Sequence, residues 1–193
     1  SAASDVYKRQ EKDFCDAGGL VLLGNECLDI EEMNDFFEVK IKDLNNELIY
    51  ILQTKFLINA AGIHSAEIAK LIDKSREIDV QYIKGEYYNY SGKEKINHLI
   101  YPVPGKLSLG LHATIDLGNG IKFGPSAVET KNLNYKVEEK NKMDFVESLK
   151  KYWPSIKESD LSPNYSGIRA KERGAKDFGL EKIDKINKIA INI

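Results

Sequence analysis

Short apolar runs, some of them alternating with polar residues, recur between residues 20 and 52, and this pattern predicts short β-strands. The predicted strands are 20–23, 26–30, 36–43 and 47–52. An apolar run then leads into Ala60-Ala61-Gly62, and residues 64–72 follow with apolar positions at helical spacing. We therefore expect a strand–glycine–helix unit at 56–72. Residues 1–10 lack either period, and we leave them out of the fold prediction.

The pattern changes from residue 78, where longer strands rich in Tyr, Ile and Val begin. These predicted strands are 80–90, 97–103, 109–116, 121–124 and 164–171. The turn Asn119-Gly120 predicts a hairpin, and residues 141–153 show the spacing of a helix that ends before Pro154. Together, the two patterns predict an α/β or α+β chain built from pieces of two domains, the second an antiparallel sheet with flanking helices.

Composition narrows the class of protein. The 193 residues carry 28 Lys and Arg against 30 Asp and Glu, mixed along the chain, so we expect no nucleic-acid partner. No apolar run is long enough to span a membrane, and no Cys/His spacing is typical of a zinc site, so we expect no metal. Without a signal-peptide pattern, the expected location is the cytoplasm, with peripheral association at the inner membrane as an alternative.

Three segments could carry chemistry. Small residues at 60–62 would let a ligand approach the backbone, although a tight strand-to-helix turn packed with small residues is the more common reason for them. Alternation along the last predicted strand would place Arg169, Lys171 and Arg173 on one face, either as a carboxylate site or as solvated charges. His112 lies among apolar residues and suits general-base work near neutral pH, but such a histidine is more often part of the core.

The order of seven short motifs is more specific than any one of them. The motifs are 58–62 INAAG, 84–88 KGEYY, 99–104 LIYPVP, 109–114 LGLHAT, 123–125 FGP, 152–154 YWP and 166–169 SGIR. In this order they resemble the FAD-dependent L-2-hydroxyglutarate dehydrogenase/oxidase family, within the D-amino-acid oxidase-like flavoproteins. The resemblance covers about residues 13–172.

The resemblance implies FAD as cofactor and a Rossmann-like FAD domain closed by a sheet-based substrate domain. Ala60, Ala61 and Gly62 match a cofactor-side motif. Arg169 matches the arginine that grips the substrate carboxylate, His112 a histidine near the flavin, and Lys84-Gly85 a strand facing the active site. The implied reaction oxidises a small 2-hydroxy acid, with oxygen or a quinone as electron acceptor.

The same resemblance gives an expected domain division, in which the chain is an internal fragment. Residues 1–10 are a non-native or disordered start, 11–76 the C-terminal part of the FAD domain, 77–172 the substrate domain and 173–193 an irregular or truncated tail. The chain contains no GxGxxG after a strand, so we expect it not to retain FAD alone. Lys84 stands where relatives carry Arg, and Ala170 where Pro is common. An amine oxidase similar to glycine oxidase and a non-catalytic binding domain are the alternatives.

Overall fold

A computed structural model describes residues 2–103, 110–175, 181–185 and 188–192. The chain divides into two compact units. One comprises Ser1–Ile78 with Lys176–Ile193, and the other comprises Asp79–Ala175. The boundary falls two residues after the one that the sequence predicts, while the roles assigned to the two parts stay predictions.

The helices and strands follow one another in an order that mixes both types in each unit. The helices are α1 (Ala2–Asp16), α2 (Ser65–Ile72) and α3 (Lys142–Leu149), and the strands are β1 (Asn25–Glu32), β2 (Phe37–Asp43), β3 (Ile49–Thr54), β4 (Phe56–Asn59), β5 (Val80–Tyr90), β6 (His112–Ile115), β7 (Ile121–Gly124), β8 (Val128–Thr130), β9 (Leu161–Glu172), β10 (Glu181–Lys185) and β11 (Lys188–Asn192).

The first unit contains two small sheets. Strands β1, β2 and β3 form an antiparallel meander, and Ile30, Phe37, Val39 and Ile72 build its core where α2 packs on β1. Strand β4 pairs in parallel with β11, which continues into β10. The burial of alternate positions in β2 explains why its sequence predicts a strand so clearly, since an amphipathic strand buries every second residue.

The two ends of the chain differ from the expectation. Helix α1 includes residues 2–10, which the sequence analysis set aside because they show no apolar period. The expected irregular tail contains β10 and β11, and β11 takes its register from Phe56 to Asn59 of β4. This pairing joins β11 to a strand more than a hundred residues earlier in the chain. The local pattern of a lysine-rich segment does not predict such a long-range contact.

The second unit is one antiparallel sheet around β5. Strand β9 pairs along almost the whole of one edge of β5, while β7 and β8 pair with different halves of the other edge. Strand β6 extends the sheet beyond β7 through the predicted hairpin, in which Asn119 takes the left-handed conformation at φ 62°.

The core of this unit lies between the sheet and α3. Its buried side chains come from the sheet, the helix and the segments on either side of the helix: Tyr88, Ala113, Ile121, Phe123, Val137, Phe145, Val146, Leu149, Trp153, Ile156 and Leu161. Trp153 meets the rings of Tyr90 and Phe123 edge to face at 5.2 and 5.4 Å. The aromatic contacts join the end of the α3 segment to the sheet.

Two predicted strands are absent from the described residues. Residues 20–23 are exposed coil, and in 97–103 only Ile100 bridges to a sheet residue, Ala113. Apolar composition favours a strand, but a strand forms only where a partner edge is available. Within the part of the chain that the structure describes, each helix is too short or too polar to traverse a bilayer.

Candidate active site on the sheet of the second unit

The sheet of the second unit has two different faces, because successive residues of a strand point to opposite sides and paired residues share a side. We call the face that packs on α3 the closed face; its positions include Lys84, Glu86, Tyr88, Phe123, Ala113 and Ile168. We call the other the open face; its positions include Ile83, Gly85, Tyr87, His112, Gly167 and Arg169. Three of the four candidate catalytic residues therefore share the open face.

Arg169 lies on the open face of β9, directly opposite Ile83 of β5. Its side chain is exposed, and among the residues that the structure describes it forms neither a hydrogen bond nor an ion pair. A guanidinium group presents several N–H donors in a planar fork that matches a carboxylate. Arg169 is thus available for an anionic ligand.

Two glycines face each other on neighbouring strands beside Arg169. Gly85 pairs with Gly167, so neither strand carries a side chain at this point of the sheet. A Cβ at Gly85 would come within 2.9 Å of the Pro125 Cβ and 3.2 Å of the Ser126 carbonyl oxygen, whereas one at Gly167 would meet nothing within 4 Å. Gly85 is therefore required by packing, and Gly167 leaves open space next to Arg169.

His112 begins β6 and pairs with Gly124, which places it on the open face. Its ring meets that of Tyr101 edge to face, with the centroids 4.4 Å apart. Strands β7 and β5 lie between His112 and Arg169, so three strand spacings, about 14 Å, separate the two backbones across the sheet. Along the strands, His112 is level with Tyr87 and Arg169 with Ile83, which adds about 13 Å in that direction. The structure brings the two residues to one face but not into contact.

An aromatic pair occupies the open face between these two positions. Tyr87 and Tyr165 stack with ring centroids 4.6 Å apart, and Lys122 Nζ lies 5.8 Å from the centre of the Tyr165 ring. Burial, followed by the proximity of Tyr165, raises the pKa of Tyr87. The Tyr87 phenol therefore stays neutral at physiological pH, and the pair offers a flat aromatic surface.

Lys84 points to the closed face, away from Gly85. Its Nζ lies 3.1 Å from Glu86 Oε1 and donates to the Lys136 carbonyl oxygen. Asn141 Nδ2 donates to the second oxygen of Glu86 at 2.7 Å. The structure therefore does not bring the Lys84 side chain to the face that holds Gly85, because neighbouring strand residues point to opposite sides.

A cavity of about 510 Å³ adjoins this buried network. Polar groups from Glu86, Asn141, Ser148 and Tyr152 contribute to its walls, whereas neither Arg169 nor His112 lines it. Burial raises the pKa of Tyr152 to about 12, and its hydroxyl donates to a backbone carbonyl at 2.7 Å. This cavity and the exposed Arg169 thus belong to different parts of the unit.

The turn after β4 is organised by one buried side chain. Asn59, only 2% exposed, donates from Nδ2 to the Ser65 carbonyl oxygen at 2.7 Å and accepts from the Ala61 amide at 3.2 Å. Gly62 takes a left-handed conformation at φ 58°. The exposed Ala60, Ala61 and Gly62 that follow present small side chains and accessible backbone.

Comparison with known proteins places these features in a family. The model of the family DAO, FAD dependent oxidoreductase, matches residues 7–185. The chain belongs to this family. It is similar to the mitochondrial L-2-hydroxyglutarate dehydrogenase of Arabidopsis thaliana, with 33% identity over 62% of this chain and 28% of the relative. It is also similar to L-2-hydroxyglutarate dehydrogenase of Indibacter alkaliphilus, with 28% identity over 86% of this chain and 50% of the relative.

The fold agrees with a solved member of the same fold group. Glycerol-3-phosphate dehydrogenase from Bacillus halodurans, solved in complex with FAD, aligns with a TM-score of 0.72 at 12% identity, over 92% of this chain and 36% of that protein. The predicted fold class is confirmed. This DAO-family chain spans about half, or less, of the length of the two curated relatives.

The turn after β4 fits a role in holding FAD in this DAO-family chain. A Cβ at Gly62 would meet nothing within 4 Å, so a planar or phosphorylated ligand could reach the backbone without steric conflict. Asn59 fixes the turn from below, through hydrogen bonds that leave the outer surface bare. The residues present therefore suit the cofactor of the family.

Sequence reasoning missed the acidic partners in the sheet. Glu86 and Glu129 appear in the sequence as ordinary charged residues, yet Glu86 is buried and Glu129 holds two neighbouring side chains. The alternation along β5 was the available signal for Glu86, since Glu86 falls on the same side of the strand as Tyr88 and Tyr90. No local pattern indicated the role of Glu129, because its partners Gln81 and Arg173 are far from it in the chain.

Proposed function

We propose that the chain carries the substrate-binding sheet and part of the FAD-binding domain of an enzyme that oxidises a 2-hydroxy acid of the 2-hydroxyglutarate type to the 2-oxo acid. The observation that carries this proposal is Arg169, which is exposed and unpaired among the described residues and stands beside the bare backbone of Gly167. The relatives named L-2-hydroxyglutarate dehydrogenase support the choice of substrate class.

Binding and orientation of the substrate are the tasks of Arg169. Two parallel N–H···O bonds from its guanidinium group would hold the carboxylate next to the α-carbon and limit its rotation. Fixing the reacting carbon in this way lowers the entropic part of the barrier. The open space over Gly167 leaves room for the rest of the acid.

The reaction removes a hydride from the α-carbon and a proton from the hydroxyl, which converts the alcohol into a carbonyl. FAD, when bound, supplies the acceptor for the hydride. His112 is our proposed acceptor of the hydroxyl proton, because it is the histidine of the open face. The backbones of His112 and Arg169 are separated both across and along the strands. Their side chains must therefore extend toward each other over the stacked tyrosines.

Ala60, Ala61 and Gly62 are the residues that we propose to hold FAD. Their small side chains and the left-handed Gly62 let the cofactor approach the main chain. A bulky residue at this turn would remove that access, and we expect Gly62→Val in the full-length enzyme to lower the FAD content. The ratio of flavin to protein absorbance measures this content without any assay of activity.

Substitution of Arg169 tests the proposed function directly. In the full-length enzyme, with L-2-hydroxyglutarate and an artificial dye as electron acceptor, Arg169→Ala should lower kcat/KM by about 10²- to 10⁴-fold, as expected for two charge-assisted hydrogen bonds. Arg9→Ala, at an exposed arginine of α1, is the matched control. Unchanged kinetics in Arg169→Ala would exclude its role, and oxidation of glycine in place of the hydroxy acid would favour an amine oxidase.

The pH dependence of kcat tests His112. A histidine must be unprotonated to accept the hydroxyl proton, so a histidine base makes kcat fall at acidic pH. We expect His112→Gln to reduce kcat by about 10²- to 10⁴-fold and to remove this acidic limb. An acidic limb that persists in His112→Gln would assign the base to another residue.

A further inference from the structure

Three basic residues alternate at one end of β9, but the structure gives them different surroundings. Arg169 and Lys171 are within the strand and Arg173 follows it directly. All three are exposed. Alternation places Arg169 and Lys171 on the open face, with Lys171 opposite Gln81 of β5.

Arg173 is held by two carboxylates. Its Nε lies 2.9 Å from Asp79 Oδ2, and its Nη2 lies 2.9 Å from Glu129 Oε1. The second oxygen of Glu129 accepts from Gln81 Nε2 at 2.8 Å, and the Arg173 amide donates to the Asp79 carbonyl oxygen. We call these four residues the clamp. The hydrogen bond from Arg173 to Glu129 and the charge of Asp79 raise the pKa of Arg173.

Lys171 lacks such partners. In the described parts of the chain it makes no hydrogen bond and no ion pair, and Glu129 is already occupied by Gln81 and Arg173. Residues two apart in a strand are separated by about 6.7 Å. The carboxyl carbons of an extended five-carbon diacid are about 5 Å apart, along four bonds of about 1.5 Å each. Arg169 and Lys171 are therefore spaced to hold the two ends of one such acid.

We infer that Lys171 binds the distal carboxylate of a 2-hydroxy dicarboxylic acid whose first carboxylate is held by Arg169, while Arg173 is a structural clamp residue that does not touch the substrate. This inference rests on the proposed function. It makes Lys171 the residue that distinguishes a diacid from a monocarboxylic acid of the same length. A monoacid would leave the ammonium group of Lys171 in water, at no gain in affinity.

Two substrates that differ only in the distal carboxylate provide the test. Full-length enzyme containing FAD is assayed with L-2-hydroxyglutarate and with L-2-hydroxypentanoate. Lys171→Met should raise KM for the diacid at least about tenfold, with kcat changed less than twofold and KM for the monoacid unchanged. Lys171→Arg should retain most of the preference for the diacid. Lys150→Met, at an exposed lysine after α3, is the control and should behave as wild type.

A second variant separates Lys171 from the clamp. Arg173→Met with Glu129→Gln removes a positive and a negative charge together, so it leaves the net charge of the open face unchanged. We expect the ratio of kcat/KM for diacid over monoacid to stay within twofold of wild type. If that ratio collapses in this double variant and not in Lys171→Met, Arg173 is the distal contact and the inference is wrong.

The remaining outcomes separate the inference from the proposed function. Wild-type enzyme that oxidises both acids, with Lys171→Met lowering kcat/KM equally for both or for neither, overturns the inference and leaves the proposed function standing. Wild-type enzyme that oxidises neither acid overturns the proposed function and the inference with it. Thermal unfolding and flavin absorbance of each variant show that the fold and the cofactor content are retained.

Discussion

The two faces of the sheet in the second unit are built from the same strands and are used in opposite ways. On the closed face, Tyr88, Phe123 and Ala113 are fully buried, and Lys84 is paired with Glu86. On the open face, glycines pair with each other and Arg169 reaches solvent unpaired among the described residues. Stability and chemistry are therefore divided between alternate residues within each strand.

The division has a physical cause. A charge that is buried without a partner costs several kcal/mol, so the closed face tolerates Lys84 only with Glu86 and Asn141 beside it. A charge in water carries no such cost, so an exposed strand position can keep a cation ready for a ligand. Substitutions on the closed face should consequently change folding, and those on the open face should change binding.

The largest expected effect is on the closed face. Phe123→Ala should lower the free energy of unfolding by about 3–5 kcal/mol, because it leaves a cavity among the rings of Tyr90 and Trp153. Arg169→Ala, as the open-face counterpart, should change it by less than about 0.5 kcal/mol. Urea denaturation followed by tryptophan fluorescence measures both. Equal losses in the two variants would contradict the division of the faces.

The buried ion pair should give the next largest effect. Glu86→Ala should cost about 3 kcal/mol, because it leaves the Lys84 ammonium group with only a carbonyl oxygen as partner in a buried position. The double variant Lys84→Met/Glu86→Gln removes both charges and keeps an acceptor for Asn141, so it should cost about 1 kcal/mol. Denaturation in urea measures both losses.

The same double variant tests whether Lys84 is catalytic. In the full-length enzyme it should retain kcat within about threefold, since Lys84 lies on the face away from Arg169. Loss of kcat at normal stability would return Lys84 to the active site.

Alanine substitutions at the two paired glycines should change the free energy of unfolding in opposite directions. Gly85→Ala should destabilise the fold by about 2 kcal/mol, because the new methyl group collides with Pro125 and the Ser126 carbonyl. Gly167→Ala should stabilise it by about 0.5 kcal/mol, because space is open and the unfolded chain loses freedom. Thermal unfolding of the two variants side by side measures the difference, and a loss in both would show that Gly167 is also packed.

The last effect concerns the Tyr88 hydroxyl, and it depends on pH. Burial and the nearby Glu86 raise the pKa of Tyr88 to about 12, from about 10 in the unfolded chain. Because the folded state holds the proton more tightly, the stabilisation of the fold by this hydroxyl is complete below pH 10. It is lost between pH 10 and 12, where the free energy of unfolding falls by up to about 1.4 kcal/mol per pH unit. Tyr88→Phe should cost about 1 kcal/mol at pH 7 and flatten this alkaline decline. A decline of unchanged slope would assign it to other groups.

The sequence predicted the elements of the second unit well where the local pattern was strong. The predicted bounds of β5 and β7 agree with the structure, and the turn at Asn119 connects β6 and β7 as expected. The strand predicted at 20–23 is absent, since apolar residues without a partner edge stay in coil. Strands β10 and β11 were missed, because the pairing of β11 with β4 depends on a distant partner.

For the site, the chemistry of each residue was visible in the sequence and its surroundings were not. Residue types, motif order and alternation alone indicated Arg169, His112 and Gly85 as candidates and predicted that cations of β9 share a face. Asp79 and Glu129 decide which of these cations meets a carboxylate. They approach Arg173 from the residue before β5 and from β8. Local patterns determine which face a residue takes, because strand geometry repeats every two residues. Partners across the sheet depend on register and on contacts far apart in the chain, and these exist only in the folded structure.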